Sequence, residues 1–155
     1  MRVTKLLPAL AVVAVLAGCG GTKAPDDPKQ TLTDLVGHLA DGDGGKACAL
    51  LLPGARDTFA RENEAADCEK AVAVISGRIT DAKTYRAMVP AGLQVKGETA
   101  TVSGYCHHGW KNADGSDSTL KVDPNTLGDI TLKKTTDGWL VSDYSSSKHY
   151  SSCGG

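Results

Sequence analysis

The chain has 155 residues, with 17 lysines and arginines against 18 aspartates and glutamates, for a formal net charge of −1 at pH 7. Charge so evenly balanced gives no electrostatic pull toward nucleic acid, and the few basic residues near the amino terminus make no polybasic patch. Aromatic residues make up only 5% of the chain, with one Phe and two Trp, so covalent staples gain weight in holding a core together.

Arg2 and Lys5 precede a charge-free apolar run from Leu6 to Ala17, which small residues close. This is the three-part layout of a secretory signal. The run is too short to span a hydrocarbon core about 30 Å thick, which needs roughly 20 apolar residues as helix. Its end, Leu16-Ala17-Gly18-Cys19, resembles the bacterial lipobox. That resemblance implies diacylglyceryl transfer to the Cys19 thiol, cleavage before Cys19, further acylation such as palmitate on the new amino terminus, and a place on the extracytoplasmic face of the cell membrane. Residues 1–18 are then a signal peptide, 19–28 a lipidated tether and 29–155 one domain, since about 137 mature residues leave no room for a second core.

Gly20 to Pro28 is small, polar and proline-containing, as a tether would be. Asp27 before Pro28 predicts an N-cap with proline at the first helical position, and Leu32, Leu35, Val36 and Leu39 follow at helical spacing up to Asp41-Gly42. Asp43 caps a second predicted helix running to Leu52. Pro53 opens a third carrying Ala55 and Phe59, because proline fits a helix start and not its interior. Asp67 begins a fourth, with Val72, Ile75 and Ile79 on one face.

Beyond Thr80 the pattern turns to strands. Tyr85 to Val89 is expected as a strand stopped by Pro90. Leu93 to Lys96 and Thr99 to Cys106 form a hairpin across Gly97-Glu98, with Ala100, Val102, Gly104 and Cys106 on one face. Lys111 to Ser118 is a polar loop and Ser118 to Val122 a short strand. Asp129 to Thr135 and Trp139 to Ser145 are the clearest strands, joined across Thr136-Asp137-Gly138. The serine-rich end, from Ser145, would fray unless Cys153 held it.

With Cys19 acylated, Cys48, Cys68, Cys106 and Cys153 remain, an even number in an oxidising space. Three pairings are possible. Cys48 with Cys68 and Cys106 with Cys153 is favoured, the first lying within the helical half and the second joining a strand to the tail. Loop entropy assigns roughly 3 kcal/mol to a closed loop of about 20 residues and about 4 to one of nearly 50.

Helices first, then an antiparallel sheet, together with the lipobox, the Asp41-Gly42-Asp43-Gly44 turn, Ala47-Cys48-Ala49-Leu50-Leu51 followed by Cys68, and the closing Asp137-Gly138-Trp139 hairpin, resemble small actinobacterial lipoproteins with a nuclear transport factor 2-like cone domain. The resemblance implies an α+β fold in which helices pack on a curved antiparallel sheet around a pocket, with Trp139, Val141, Val102 and Leu132 pointing inward. The fold hosts enzymes, binding domains and scaffolds alike and does not decide between them.

Three functions follow as expectations. The first is a non-enzymatic lipoprotein with no cofactor, binding an envelope partner protein or small ligand. The second is a cone-fold hydrolase or isomerase using His38 and Asp143, the latter alternating with Val141 to reach the face of Trp139. The third is a tetrahedral zinc or copper(I) site from Cys106, His107, His108, His149 and Cys153. Neighbours on a strand diverge, so Cys106 and His107 converge only if the strand ends there, and a Cys106–Cys153 disulfide removes both thiolates. No nucleophile elbow or P-loop is present. Thiol counting on the exported protein, expected to find all four ectodomain cysteines oxidised and no metal retained after dialysis, separates disulfide from metal site; free Cys106 and Cys153 with bound zinc or copper would reverse the assignment.

Overall fold

Four aspartates start four of the helices by the same device, a carboxylate accepting a backbone N–H that the first turn leaves without an intrahelical partner. In the computed structural model, which describes residues 23–90, 92–102, 110–111, 116 and 128–146, Asp27 accepts from the Lys29 amide at 2.9 Å, Asp43 from Lys46 at 3.1 Å, Asp67 from Lys70 at 2.8 Å and Asp81 from Thr84 at 3.0 Å. The helices are α1 (Pro28–Asp41), α2 (Gly44–Ala49), α3 (Pro53–Glu62), α4 (Cys68–Arg78) and α5 (Ala82–Arg86). Among the described residues no helix is long and apolar enough to cross a membrane.

The strands are β1 (Val89–Pro90), β2 (Gln94–Lys96), β3 (Thr99–Val102), β4 (Trp110–Lys111), β5 (Asp129–Thr135) and β6 (Gly138–Ser145). β2, β3, β5 and β6 form one antiparallel sheet in that order, and β1 pairs with β4 separately. Among the described residues, five helices and a four-stranded antiparallel sheet thus make an α+β fold. One face of the sheet carries Ala100, Val102, Ile130, Leu132, Trp139 and Val141, all buried in a single core with Leu32, Val36, Leu39, Leu51, Phe59, Val72, Ile75 and Met88 from the chain's first half. The opposite face shows Lys96, Thr99, Thr101 and Lys133 to solvent.

Three expectations need correction. The strand expected from Tyr85 to Val89 begins as α5: Asp81 accepts the Thr84 hydroxyl through Oδ2 at 2.7 Å and the Thr84 amide through Oδ1 at 3.0 Å, closing a helical turn that buries Tyr85 completely. Arg86, one residue on, pairs with Asp41 at the end of α1. The second helix stops at Ala49 instead of Leu52, because Leu50 to Leu52 leave the helix and run beside β6: Val141 N–H donates to Leu50 C=O at 2.9 Å and Leu52 N–H to Val141 C=O at 2.8 Å. Within the span expected as tether, Ala24 and Pro25 join the fold: Ala24 is buried and the Trp139 amide donates to Pro25 C=O at 2.8 Å.

This last docking depends on Gly138. Its φ of +108° favours glycine, and a Cβ there would stand 2.3 Å from Ala24 O and 2.7 Å from Pro25 O. Gly138→Ala should therefore destabilise the domain by roughly 1–3 kcal/mol for the backbone conformation alone, and by more if Ala24 is displaced. Urea unfolding measures it; a loss below about 0.5 kcal/mol, typical of an unconstrained surface site, would show that the chain's entry does not rest on this strand.

Candidate functional site

Helices α2, α3 and α4 meet around the Cys48–Cys68 disulfide, whose Cα atoms are 6.0 Å apart. Cys68 is the first residue of α4, so the Asp67 cap also positions the sulfur. Gly44 brings α2 close to α4: a Cβ there would lie 3.0 Å from the Glu69 Cβ and 3.1 Å from its Cα. Arg56, in the first turn of α3, donates its Nε–H to Cys48 C=O at 2.7 Å and Leu51 C=O at 2.9 Å, satisfying carbonyls where α2 ends.

Over this junction lies an open groove of about 760 Å³. Cys48, Cys68, Ala60, Ala65 and Ala66 supply its apolar lining, and Arg56, Asp57, Arg61, Asp67 and Glu69 its charges. Hydrogen bonds from the Lys70 amide and ammonium hold the Asp67 carboxyl below its ordinary range. Both signs of charge stand around small side chains, with no nucleophile paired to a base. The arrangement can receive a polar segment with a small apolar contact and can orient it through Arg–carboxylate pairs.

Of the residues singled out from sequence, Cys48 and Cys68 are at disulfide distance. Cys19, Cys106, His107, His108, His149 and Cys153 lie outside the described residues, and with them the expected metal set and second disulfide. Trp139, Val141, Val102 and Leu132 do share the helix-facing side of the sheet, but at 4%, 1%, 2% and 0% exposure they fill the core. Only Val102 of the four lines any of the three cavities described, a shallow one of about 310 Å³ with Gln94, Thr101 and Thr131.

The His38 and Asp143 dyad is not assembled. His38 is half-buried on α1, lining a small cavity of about 190 Å³ with Lys23, Asp34 and Lys46. Asp143 was expected to alternate with Val141, yet the register slips between them: Val141 pairs with Leu132 while Asp143 pairs with Thr131, leaving Ser142 as an extra residue. Such a bulge reverses the faces downstream. Asp143 turns outward and is exposed, and Tyr144 takes the inward place at 4% exposure.

Sequence reasoning missed what that reversal builds at the far end of β6. The Tyr144 ring meets Phe59 edge-on, with centroids 4.9 Å apart. Beside it Asn63 Nδ2 donates to Phe59 C=O at 2.8 Å and the Ser146 hydroxyl to Glu62 at 2.9 Å. The Tyr144 hydroxyl and Asn63 Oδ1 are buried without hydrogen-bond partners among the described residues. Burial pushes the Tyr144 phenol up to about 12, the neighbouring Asn63 amide opposing the shift and the Glu62 charge adding to it. Only the bulge reveals this cluster, and a bulge leaves no mark in residue alternation.

Among the described residues no group of three or more His, Cys, Asp or Glu is placed to hold a metal ion. Compared with protein-family models, curated proteins and solved structures, the chain matches none.

Because the folded-state pKa of Tyr144 lies above its ordinary value of 10.0, its neutral form stabilises the fold fully below pH 10, and that contribution is lost as pH rises toward 12. Two pH units correspond to about 2–3 kcal/mol. Denaturation midpoints between pH 9 and 12 should fall more steeply for wild type than for Tyr144→Phe, with the two within about 1 kcal/mol at neutral pH because the hydroxyl has no well-formed hydrogen bond among the described residues to lose. Parallel pH profiles would mean that Tyr144 ionises as freely in the folded protein as in the unfolded chain.

Proposed function

We propose that the protein is a lipid-anchored, extracytoplasmic binding protein without catalytic activity, held at the cell membrane by acyl chains on Cys19 and presenting one α+β domain to an envelope partner protein. The observation that carries this reading is the Leu16-Ala17-Gly18-Cys19 tetrapeptide, which ends a charge-free apolar run and stands five residues ahead of Ala24, the first buried residue of the described fold. One acyl chain holds a protein marginally and two or three hold it durably.

The finer fold assignment we infer is a nuclear transport factor 2-like cone, supported by the helix-first order and by helices gathered on one face of the antiparallel sheet. In this domain the space between helices and sheet is filled by Trp139, Val141, Leu132 and their core neighbours. The binding surface is accordingly assigned to the groove above the disulfide. Its small apolar floor and charged rim resemble a patch of protein interface, with an apolar centre and polar edge, more than an enclosed small-molecule site.

Cys19→Ser is expected to abolish the diacylglyceryl mass on the mature chain and to move the protein from the membrane to the soluble fraction. A Cys19→Ser protein that stays on the membrane like wild type would contradict the anchor. For the groove, Arg61→Glu combined with Ala66→Glu should remove cross-links to envelope proteins that wild type forms in intact cells, with the melting temperature unchanged. Identical cross-links from both proteins would place the binding surface elsewhere.

A further inference from the structure

The reading of Cys19 as the acylated residue has a geometric consequence that fixes which side of the domain meets the bilayer. Cys19 and Ala24 are five Cα steps apart, so the chain between them reaches at most about 18 Å even when fully extended. Ala24 is buried, and the next residue is bonded to the Trp139 amide, so the leash has no slack beyond that point. A domain of this size is about twice as wide as the leash is long. It cannot turn over on its anchor.

The surface around the leash root is built from known neighbours. Trp139, bonded to Pro25, pairs across the sheet with Lys134, and the Lys134 amide donates to Glu98 C=O at 2.8 Å. The β5–β6 turn at Thr136-Asp137 and the β2–β3 turn at Gly97-Glu98 therefore stand beside the root, together with the start of α1. Lys29, Lys133 and Lys134 are exposed there without an ion pair among the described residues, interleaved with exposed Asp26, Asp27, Glu98 and Asp137, so the surface carries both signs of charge. Among the described residues Lys23 at the root is held by an exposed bridge to Asp26, of the kind that contributes at most about 1 kcal/mol and exchanges readily.

The other end of the sheet is far away. β6 runs from Gly138 at the root to Ser145, and eight strand residues cover about 26 Å. At its end the Ser146 hydroxyl meets Glu62 in the last turn of α3, whose outer side and following loop carry Arg61, Ala65 and Ala66 of the groove.

We infer that the root surface formed by the start of α1 and the turns at Gly97-Glu98 and Thr136-Asp137 is a membrane-docking face, its interleaved lysines and carboxylates set against the phosphates and amines of phospholipid headgroups, and that the Arg61 to Ala66 end of the groove stands at the end of the domain farther from the bilayer. This inference rests on acylation of Cys19 and adds to it an orientation. The short leash confines this face to the bilayer, and its exposed groups of both signs give it contacts to headgroup phosphates and amines.

The test uses the mature, acylated chain in vesicles of phosphatidylethanolamine and phosphatidylglycerol, with carboxylates modified by a water-soluble carbodiimide and an amine and read residue by residue by mass spectrometry. Glu98 and Asp137 should react several-fold more slowly than in a variant carrying a Gly/Ser spacer of about 20 residues after Gly20, which adds about 25 Å of reach. Asp57, on the groove, should react equally in both. Equal reactivity of Glu98 and Asp137 at the two leash lengths, with the lipid mass present, overturns the docking face and leaves the anchor standing. A mature chain without the lipid mass overturns both.

Discussion

The outer edge of β6 is where the two halves of this chain become one domain. A strand at the edge of a sheet exposes a row of donors and acceptors, and buried ones left unpaired cost about 1–3 kcal/mol each. Here the groups of Trp139 and Val141 that point away from β5 are all answered by the chain's first half. Pro25 C=O accepts the Trp139 amide at 2.8 Å, the Thr31 hydroxyl donates to Trp139 C=O at 3.1 Å, and Leu50 and Leu52 take the Val141 amide and carbonyl. Three segments, Ala24–Pro25, α1 and the α2–α3 link, close one edge.

The rest of the architecture follows from that closure. Fixing Leu50 to Leu52 against Val141 ends α2 and sets the angle at which Pro53 opens α3, which then runs along β6 and meets it again through Phe59 and Tyr144. With α2 and α3 placed, Cys48 is presented to Cys68 and Arg56 reaches back to the carbonyls of Cys48 and Leu51. The groove is the outer surface of this junction, and its shape depends on bonds formed on the opposite side of α3. The disulfide adds a covalent limit on the unfolded chain, worth roughly 3 kcal/mol for a loop of about 20 residues, to a junction already held by hydrogen bonds.

Features encoded by neighbouring residues were legible in the sequence. Asp27-Pro28, Asp43 and Asp67 announce helix starts, Asp41-Gly42 an end, and Gly97-Glu98 and Asp137-Gly138 two tight turns, because caps and turns are satisfied within three or four residues. Asp81 is equally local: a carboxylate three residues before Thr84 is a cap signal of the same kind. The docking of Leu50–Leu52 and of Ala24–Pro25 was not legible, since each depends on a partner about ninety or more residues away with no periodicity of its own. The bulge at Ser142 was hidden for a related reason. Val141-Ser142-Asp143 alternates perfectly as a pattern, and only the pairing with Thr131 and Leu132 shows that the register slips. That slip separates Asp143 from His38 and brings Tyr144 inward, so the chemistry at this end of the sheet was decided by a long-range pairing.

If β6 joins the halves as described, its outward-pointing amides should be among the slowest to exchange with solvent. Native-state hydrogen exchange at Trp139, Val141 and Leu52, followed across low concentrations of denaturant, measures this directly. The account predicts that all three exchange only through global unfolding, with the same free energy and denaturant dependence as the β5–β6 ladder. Exchange at these three sites by a local opening well below the global free energy, while the ladder stays protected, would mean that the helical half rests on a sheet that stands without it.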